Sequence, residues 1–176
     1  PIQAVVYDFH PSRAGQASRD FLSDWRGKLV CDDYTGYKAG FASGITEVGC
    51  WAHVRRKFHE LLQRNHSPIA EKALTFIGTL YDIERQVSGL PPDERRRLRD
   101  AQARRILDKL RDWLTGQRSQ LTNGTRTAKA VDYALKRWSA LIRYLDDGHL
   151  PIDNNWVERA GPQRLDRNRE LISGIF

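Results

Sequence analysis

The chain has 176 residues, 40% of them hydrophobic and 10% aromatic with five Trp, and a formal charge of +7 from 29 Lys+Arg against 22 Asp+Glu. That is enough chain and apolar side chain for a buried core, which excludes a disordered tail. No apolar run approaches the ~18–20 residues of a membrane span, and no charged-apolar-small leader opens the sequence.

In chain order, the runs Ala4–Phe9, Lys28–Cys31 and Glu47–Trp51 are short, β-branched or aromatic and bounded by turn residues, so each predicts a strand. Ser18–Trp25 between the first two predicts a helix with Phe21, Leu22 and Trp25 on one side. From Ala52, the spacing of Val54, Phe58, Leu61 and Leu62 predicts a helix launched directly from a strand. Three further helices follow. Ile69, Ala73, Ile77, Leu80, Tyr81 and Val87 mark the first, ended by Gly89-Leu90-Pro91-Pro92. Leu98, Ala101, Leu107, Leu110 and Trp113 mark the second, with Gly116 as its stop. Val131, Ala134, Leu135, Trp138, Leu141, Ile142 and Leu145 mark the third, ended by Asp147-Gly148. The expected organisation is a strand-rich segment over 1–67, a helical block over 68–147 and a short C-terminal segment over 148–176. The chain has no Met and opens on Pro1-Ile2-Gln3-Ala4, which reads as the interior of a strand, so a piece of a longer protein is expected.

Charge is unevenly placed. Residues 92–111 hold eight basic and four acidic side chains, residues 126–143 five and one, while the first 66 residues are only +2. Such an excess favours an anionic partner, nucleic acid first, although a charge run is also what a solvated helix face looks like.

Several chemistries have little to stand on. Cys50 and His53 have a C-x-x-H spacing, but no second Cys/His pair follows to complete a zinc site, so packing of Cys50 against Trp51 is the default. The two Cys make no disulfide framework and point to a reducing compartment. A Gly-rich phosphate loop and a Gly-x-Ser-x-Gly elbow are both missing.

Two acidic motifs remain. In Lys28-Leu29-Val30-Cys31-Asp32-Asp33-Tyr34-Thr35-Gly36-Tyr37 an apolar strand runs into carboxylates, at the strand end where α/β sheets place ligand groups. In Pro151-Ile152-Asp153-Asn154-Asn155-Trp156-Val157-Glu158-Arg159, Asp153 or Asn154 is a natural N-cap, which sets Glu158 in the early turns of a helix. A turn that merely begins with Asp, and a surface Glu-Arg pair, are the plain readings of each. Together they fit two-metal phosphodiester cleavage, which needs carboxylates converging from separate elements because Mg²⁺ prefers hard oxygen ligands.

These strings, with Gly49-Cys50-Trp51-Ala52-His53-Val54-Arg55-Arg56-Lys57-Phe58 and Leu80-Tyr81-Asp82-Ile83-Glu84, closely resemble the transposases of the insertion sequence 66 family over nearly the whole chain. The resemblance implies a DDE-type enzyme with a ribonuclease H-like α/β core, here lacking its N-terminal strands, interrupted by a large α-helical insertion. It implies Asp32 as the second acid and Glu158 as the third, both ligands of Mg²⁺ or Mn²⁺ in a two-metal site. Asp33 stands where members usually have Gly, which leaves the second acid open to assignment one position along. Asp8 is too close to Asp32 to be the first acid, since 23 residues do not hold a helix and two strands, so that acid is expected upstream and the fragment is expected to be inactive alone. Arg159 is placed to contact phosphate beside Glu158. Arg55, Arg56 and Lys57 are candidates to line the DNA path, and Arg164, Arg167 and Arg169 are candidates for phosphate contacts; a solvated face is the competing reading of each set. Trp156 reads as a core anchor. The implied partners are element-end and target DNA, with a homo-oligomer and accessory transposition proteins also in view, and the implied location is the bacterial cytoplasm at the nucleoid. A non-catalytic DNA-binding or accessory module derived from such an enzyme is the main alternative. A junction nuclease on the same core and a helical protein-interaction domain are the others.

Overall fold

The computed structural model describes residues 20–155, and these form parts of two compact units, one including residues up to Cys50 and from Asp153, the other Trp51–Ile152. The strand expected over Ala4–Phe9 and the readings of Asp8 and Trp156 lie outside the described residues.

Among the described residues the first unit is built on two parallel strands, β1 (Lys28–Cys31) and β2 (Thr46–Gly49), with Lys28 opposite Thr46 and Cys31 opposite Gly49. Parallel strands need a crossover, and the segment between them forms a 3₁₀ turn (Thr35–Tyr37) and a short helix, α1 (Lys38–Ala42). Leu29, Val30 and Cys31 are all buried, the continuous apolar pattern of a parallel strand covered on both faces. Leu29 and Cys31 share a face and pack with Leu22, Tyr37 and Ile45, edged by Phe21, Trp25, Tyr34 and Phe41. Residues 20–22 are helical and the chain turns at 23–24, with Ser23 at φ 38°, so the helix expected over Ser18–Trp25 ends early. Trp25 still reaches the cluster, by folding back with its N–H on the Leu22 carbonyl.

The second unit is all helical. It contains α2 (Trp51–Asn65), α3 (Pro68–Gln86), α4 (Pro92–Leu98), a π-helical turn (Arg99–Ala103), α5 (Arg104–Gln120), α6 (Arg126–Lys136), α7 (Trp138–Ile142) and a 3₁₀ turn (Arg143–Leu145). Ser67 and Thr125 cap α3 and α6, their hydroxyls accepting from the Ala70 and Ala128 N–H groups. Trp51 is fully buried and belongs to α2, not to the strand that the sequence predicts over Glu47–Trp51. Its ring meets Trp138 edge-on at 5.9 Å, its indole N–H donates to the Leu141 carbonyl, and its backbone N–H donates to Ile152. The last bond closes the unit at its two ends.

Three other expectations change. Gly116 does not stop its helix; α5 runs to Gln120, and the turn comes at Asn123-Gly124, where Gly124 has φ 80°. A single interior glycine costs a helix only ~1 kcal/mol, and the turn beyond it is held by Arg118, which donates to Asp132 of α6 and to Asn123. Ala101 is exposed and Ala103 buried, because the π turn inserts one residue and rotates the following stripe by about 100°. The helix expected over Val131–Leu145 is broken at Arg137. Its buried positions, from Ala128 to Leu145, would cover about two-thirds of the circumference of one straight helix, at ~100° per residue. Breaking re-aims Trp138 and Leu141 at Trp51.

Candidate active site at the strand ends

Register decides what meets at the carboxyl end of the sheet. Cys31 lies opposite Gly49, so Asp32 and Cys50 leave neighbouring parallel strands at one edge. Cys50 is buried and its thiol donates to Asn154 Oδ1 at 3.0 Å. That bond spans 104 residues of sequence and brings the Asp-Asn-Asn segment to the same edge as Asp32. Neither cysteine is part of a disulfide. The packing role expected for Cys50 thus has a polar component that its neighbour Trp51 did not announce.

Asp32 is half-buried and Asp33 exposed. The Tyr34 N–H donates to Asp32 Oδ1 at 3.0 Å, a local turn that orients the carboxylate as the chain leaves β1. Glycine at 36 belongs to the same turn. Gly36 is buried beneath the Tyr34 ring, and a Cβ there would approach the ring within 2.2 Å. Tyr34 and Tyr37 then meet edge-on at 5.3 Å. The Tyr-Thr-Gly-Tyr string is therefore a packed turn that holds the residue before it.

Across the edge, Asp153 is buried, and its two oxygens accept from the Asn155 backbone N–H and side-chain amide, at 3.0 and 2.8 Å. This is the bonding of an N-cap, and Asn155 is helical. Glu158, Arg159, Arg164, Arg167 and Arg169 lie outside the described residues. Among the described residues no three His, Cys, Asp or Glu side chains gather as a metal site. What the edge does present are hard oxygen donors, the class that Mg²⁺ and Mn²⁺ take, in a half-buried carboxylate with a fixed orientation.

Arg55, Arg56 and Lys57 are all exposed on α2. Successive helical residues turn by ~100°, so the three point in different directions. Lys57 and Arg55 flank opposite sides of the buried Trp51, Val54, Phe58 and Leu61 stripe, and Arg56 stands on the outer face. Lys57 lies 4.3 Å from the Tyr133 ring centre and lines an open pocket with Glu60, Leu61, Arg64, Arg126, Lys129 and Ala130. Arg64, Arg126 and Lys129 were missed by motif reading; the signal was the i, i+7 spacing of Arg64 from Lys57 on one helix and the i, i+3 spacing of Arg126 and Lys129 on another.

Another missed residue is Arg99, which is 1% exposed. Its guanidinium forks onto Glu84 with bonds of 2.8 and 2.6 Å and donates to the Tyr144 and Asp147 carbonyls. Glu84, the last residue of the Leu80–Glu84 string, is thus a structural anchor.

Over residues 2–168 the chain matches the family described as Transposase IS66 family. It is 34% identical to uncharacterized protein y4hP of Sinorhizobium fredii over 89% of this chain and 32% of that protein. It is 33% identical to uncharacterized protein y4qI of the same organism over 97% of this chain and 33% of that one. The chain therefore spans about a third of the length of the curated relatives it matches. No solved structure matches it. Among the described residues, no helix is long and apolar enough to cross a membrane. With its strings at a strand end, a helix start and a buried anchor, and with the family match running over nearly all of it, the chain belongs to the IS66 family of transposases.

Proposed function

We propose that this chain carries part of the catalytic domain of a DNA transposase, a ribonuclease H-like core in which Asp32 and Glu158 are two of three acids that hold divalent cations during DNA strand cleavage and strand transfer. The observation that carries the reading is the Cys50–Asn154 bond, which joins the Asp-Asn-Asn segment to the strand-end edge where Asp32 stands. Glu158 follows Asn155 by three residues in the sequence, so it belongs to the same short string as the segment held at that edge.

Bound there, two Mg²⁺ or Mn²⁺ ions would supply Lewis-acid activation and charge neutralisation at a scissile phosphate. The chain's own residues have simpler tasks. Asp32, oriented by the Tyr34 N–H, presents oxygen to a cation; Glu158 presents another; Arg159 binds a phosphate oxygen beside it. Arg164, Arg167 and Arg169 add phosphate contacts, with element-end and target DNA as the partners. A homo-oligomer and accessory transposition proteins belong to the same reading.

The test is substitution in the intact protein. Asp32→Asn and Glu158→Gln are each expected to lower Mg²⁺-dependent strand cleavage by ~10³-fold or more, corresponding to roughly 4 kcal/mol of lost transition-state stabilisation. Asp33→Asn is expected to leave cleavage within a few-fold of the parent, because its side chain is exposed whereas that of Asp32 is half-buried and oriented by Tyr34. Undiminished cleavage by Glu158→Gln would sink the catalytic assignment and favour a DNA-binding accessory module.

A further inference from the structure

In the helical unit, α2 and α6 leave an open pocket of about 240 Å³, lined by Lys57, Glu60, Leu61 and Arg64 from one helix and Arg126, Lys129 and Ala130 from the other. Each set recurs at i, i+3, i+4 or i+7, so each comes from one helix face. Leu61 and Ala130 are buried and supply an apolar floor. Four cations and one carboxylate form the rim, and all five side chains belong to exposed residues. Among the described residues Arg64, Arg126 and Lys129 form no ion pair, while Lys57 rests against the Tyr133 ring.

The position of two of these cations breaks a local rule. Arg126 opens α6 and Lys129 follows one turn on; the helix dipole favours Asp or Glu at such an end, and the first turn of this helix holds no acid. Local rules are broken mainly where function compensates. An anion in the pocket would relieve the repulsion between the side chains and meet the positive end of the helix at once.

We propose that this pocket grips the backbone of duplex DNA, as a contact carried by the helical unit itself. The choice of DNA among polyanions rests on the transposase reading. Its extent supports a polymer over a lone phosphate: Lys57 and Arg64 are seven residues apart, on the order of 10 Å along α2 at ~1.5 Å per residue. At an axial rise of ~3.4 Å per phosphate, that length covers about three steps along one strand, more than a lone phosphate fills.

The test uses fluorescence anisotropy with a labelled duplex of arbitrary sequence, in a NaCl series without divalent cations, on the 176-residue chain. The triple variant Arg64→Ala, Arg126→Ala, Lys129→Ala is expected to bind at least ~10-fold more weakly and to flatten the log–log salt dependence by about 2 to 3, near 0.9 per lost phosphate contact. A control with Lys109→Ala and Arg111→Ala, exposed on α5, is expected to change affinity less than about threefold. Glu60→Lys is expected to tighten binding and provides a second readout should the triple variant fold poorly. Parental affinity in the triple variant, a loss no larger than the control's, or no gain from Glu60→Lys would overturn the proposal. So would a triple variant that loses stabilisation by inorganic phosphate yet keeps its duplex affinity, since the pocket would then serve a small anion. Failure of the catalytic reading is separate, because it is read from cleavage by Glu158→Gln and leaves this metal-free binding unchanged.

Discussion

Arg99 and Glu84 show how much a single pair of residues carries in a chain rich in exposed charge. Arg99 sits among eight basic residues over 92–111, and composition alone gives no reason to single it out. The π turn carries it inward, where four of its N–H bonds are used by Glu84 and two backbone carbonyls and its guanidinium lies 5.1 Å from the Tyr144 ring centre. Removing one partner leaves a buried charge uncompensated. Glu84→Ala is therefore expected to destabilise the chain by about 3–5 kcal/mol in urea unfolding, and a change under ~1 kcal/mol would show that the pair is not a structural anchor. The Arg118–Asp132 pair is more exposed and its effect smaller. The Arg118 hydrogen bond holds the Asp132 carboxyl below its ordinary value, so its contribution is fully present above the unfolded carboxylate range and disappears as pH falls through the lower folded value. The stability gap between the chain and Asp132→Asn is expected to be level from about pH 7 to 5 and to close below about pH 4. Unfolding midpoints measured across that range check it, and a gap independent of pH would contradict the pairing.

At the scale of elements, glycines separate what periodicity determines from what packing determines. Gly116 lies inside α5 and a Cβ there meets nothing within 4 Å. Gly116→Ala is expected to raise stability by roughly 0.5–1 kcal/mol, through helix propensity and a less free unfolded chain. Gly148 is the opposite case: a Cβ there would come within 1.8 Å of the Pro92 carbonyl oxygen. Its own carbonyl accepts from Arg95 at 3.1 Å, so backbone and side chain are locked together at the start of α4. Gly148→Ala is expected to cost about 1–3 kcal/mol as an overpacking change. Thermal unfolding of both variants tests the contrast, which fails if the two shifts share a sign. Both glycines sit at predicted helix ends, and only one ends anything. The stop written in the sequence at Gly116 was legible as a residue type but not as a conformation, because Arg118 beyond it is held by Asp132 and Asn123 and the helix continues to Gln120. The breaks at Arg137 and in the π turn have no Gly or Pro to announce them; they follow from which side chains must reach Trp51 and Glu84.

For the molecule as a whole, the helical unit has its ends tied together, since the Trp51 N–H donates to the Ile152 carbonyl at 3.1 Å. An excised segment 51–152 is expected to fold alone, with helical circular dichroism and one cooperative urea transition, as insertions with adjacent termini do. A gradual, non-cooperative loss of helix would contradict that. The sequence by itself determined β1, four long amphipathic stretches, the acidic strand end and the family, because each is a local pattern of side-chain type and spacing. Only tertiary structure decided where the helices break, that Cys50 binds Asn154, that Glu84 buries Arg99, and that Lys57 shares a pocket with Arg64, Arg126 and Lys129. Those are contacts between residues from 7 to 104 positions apart. Chain order records such residues separately, and only the folded backbone brings them within a few ångströms.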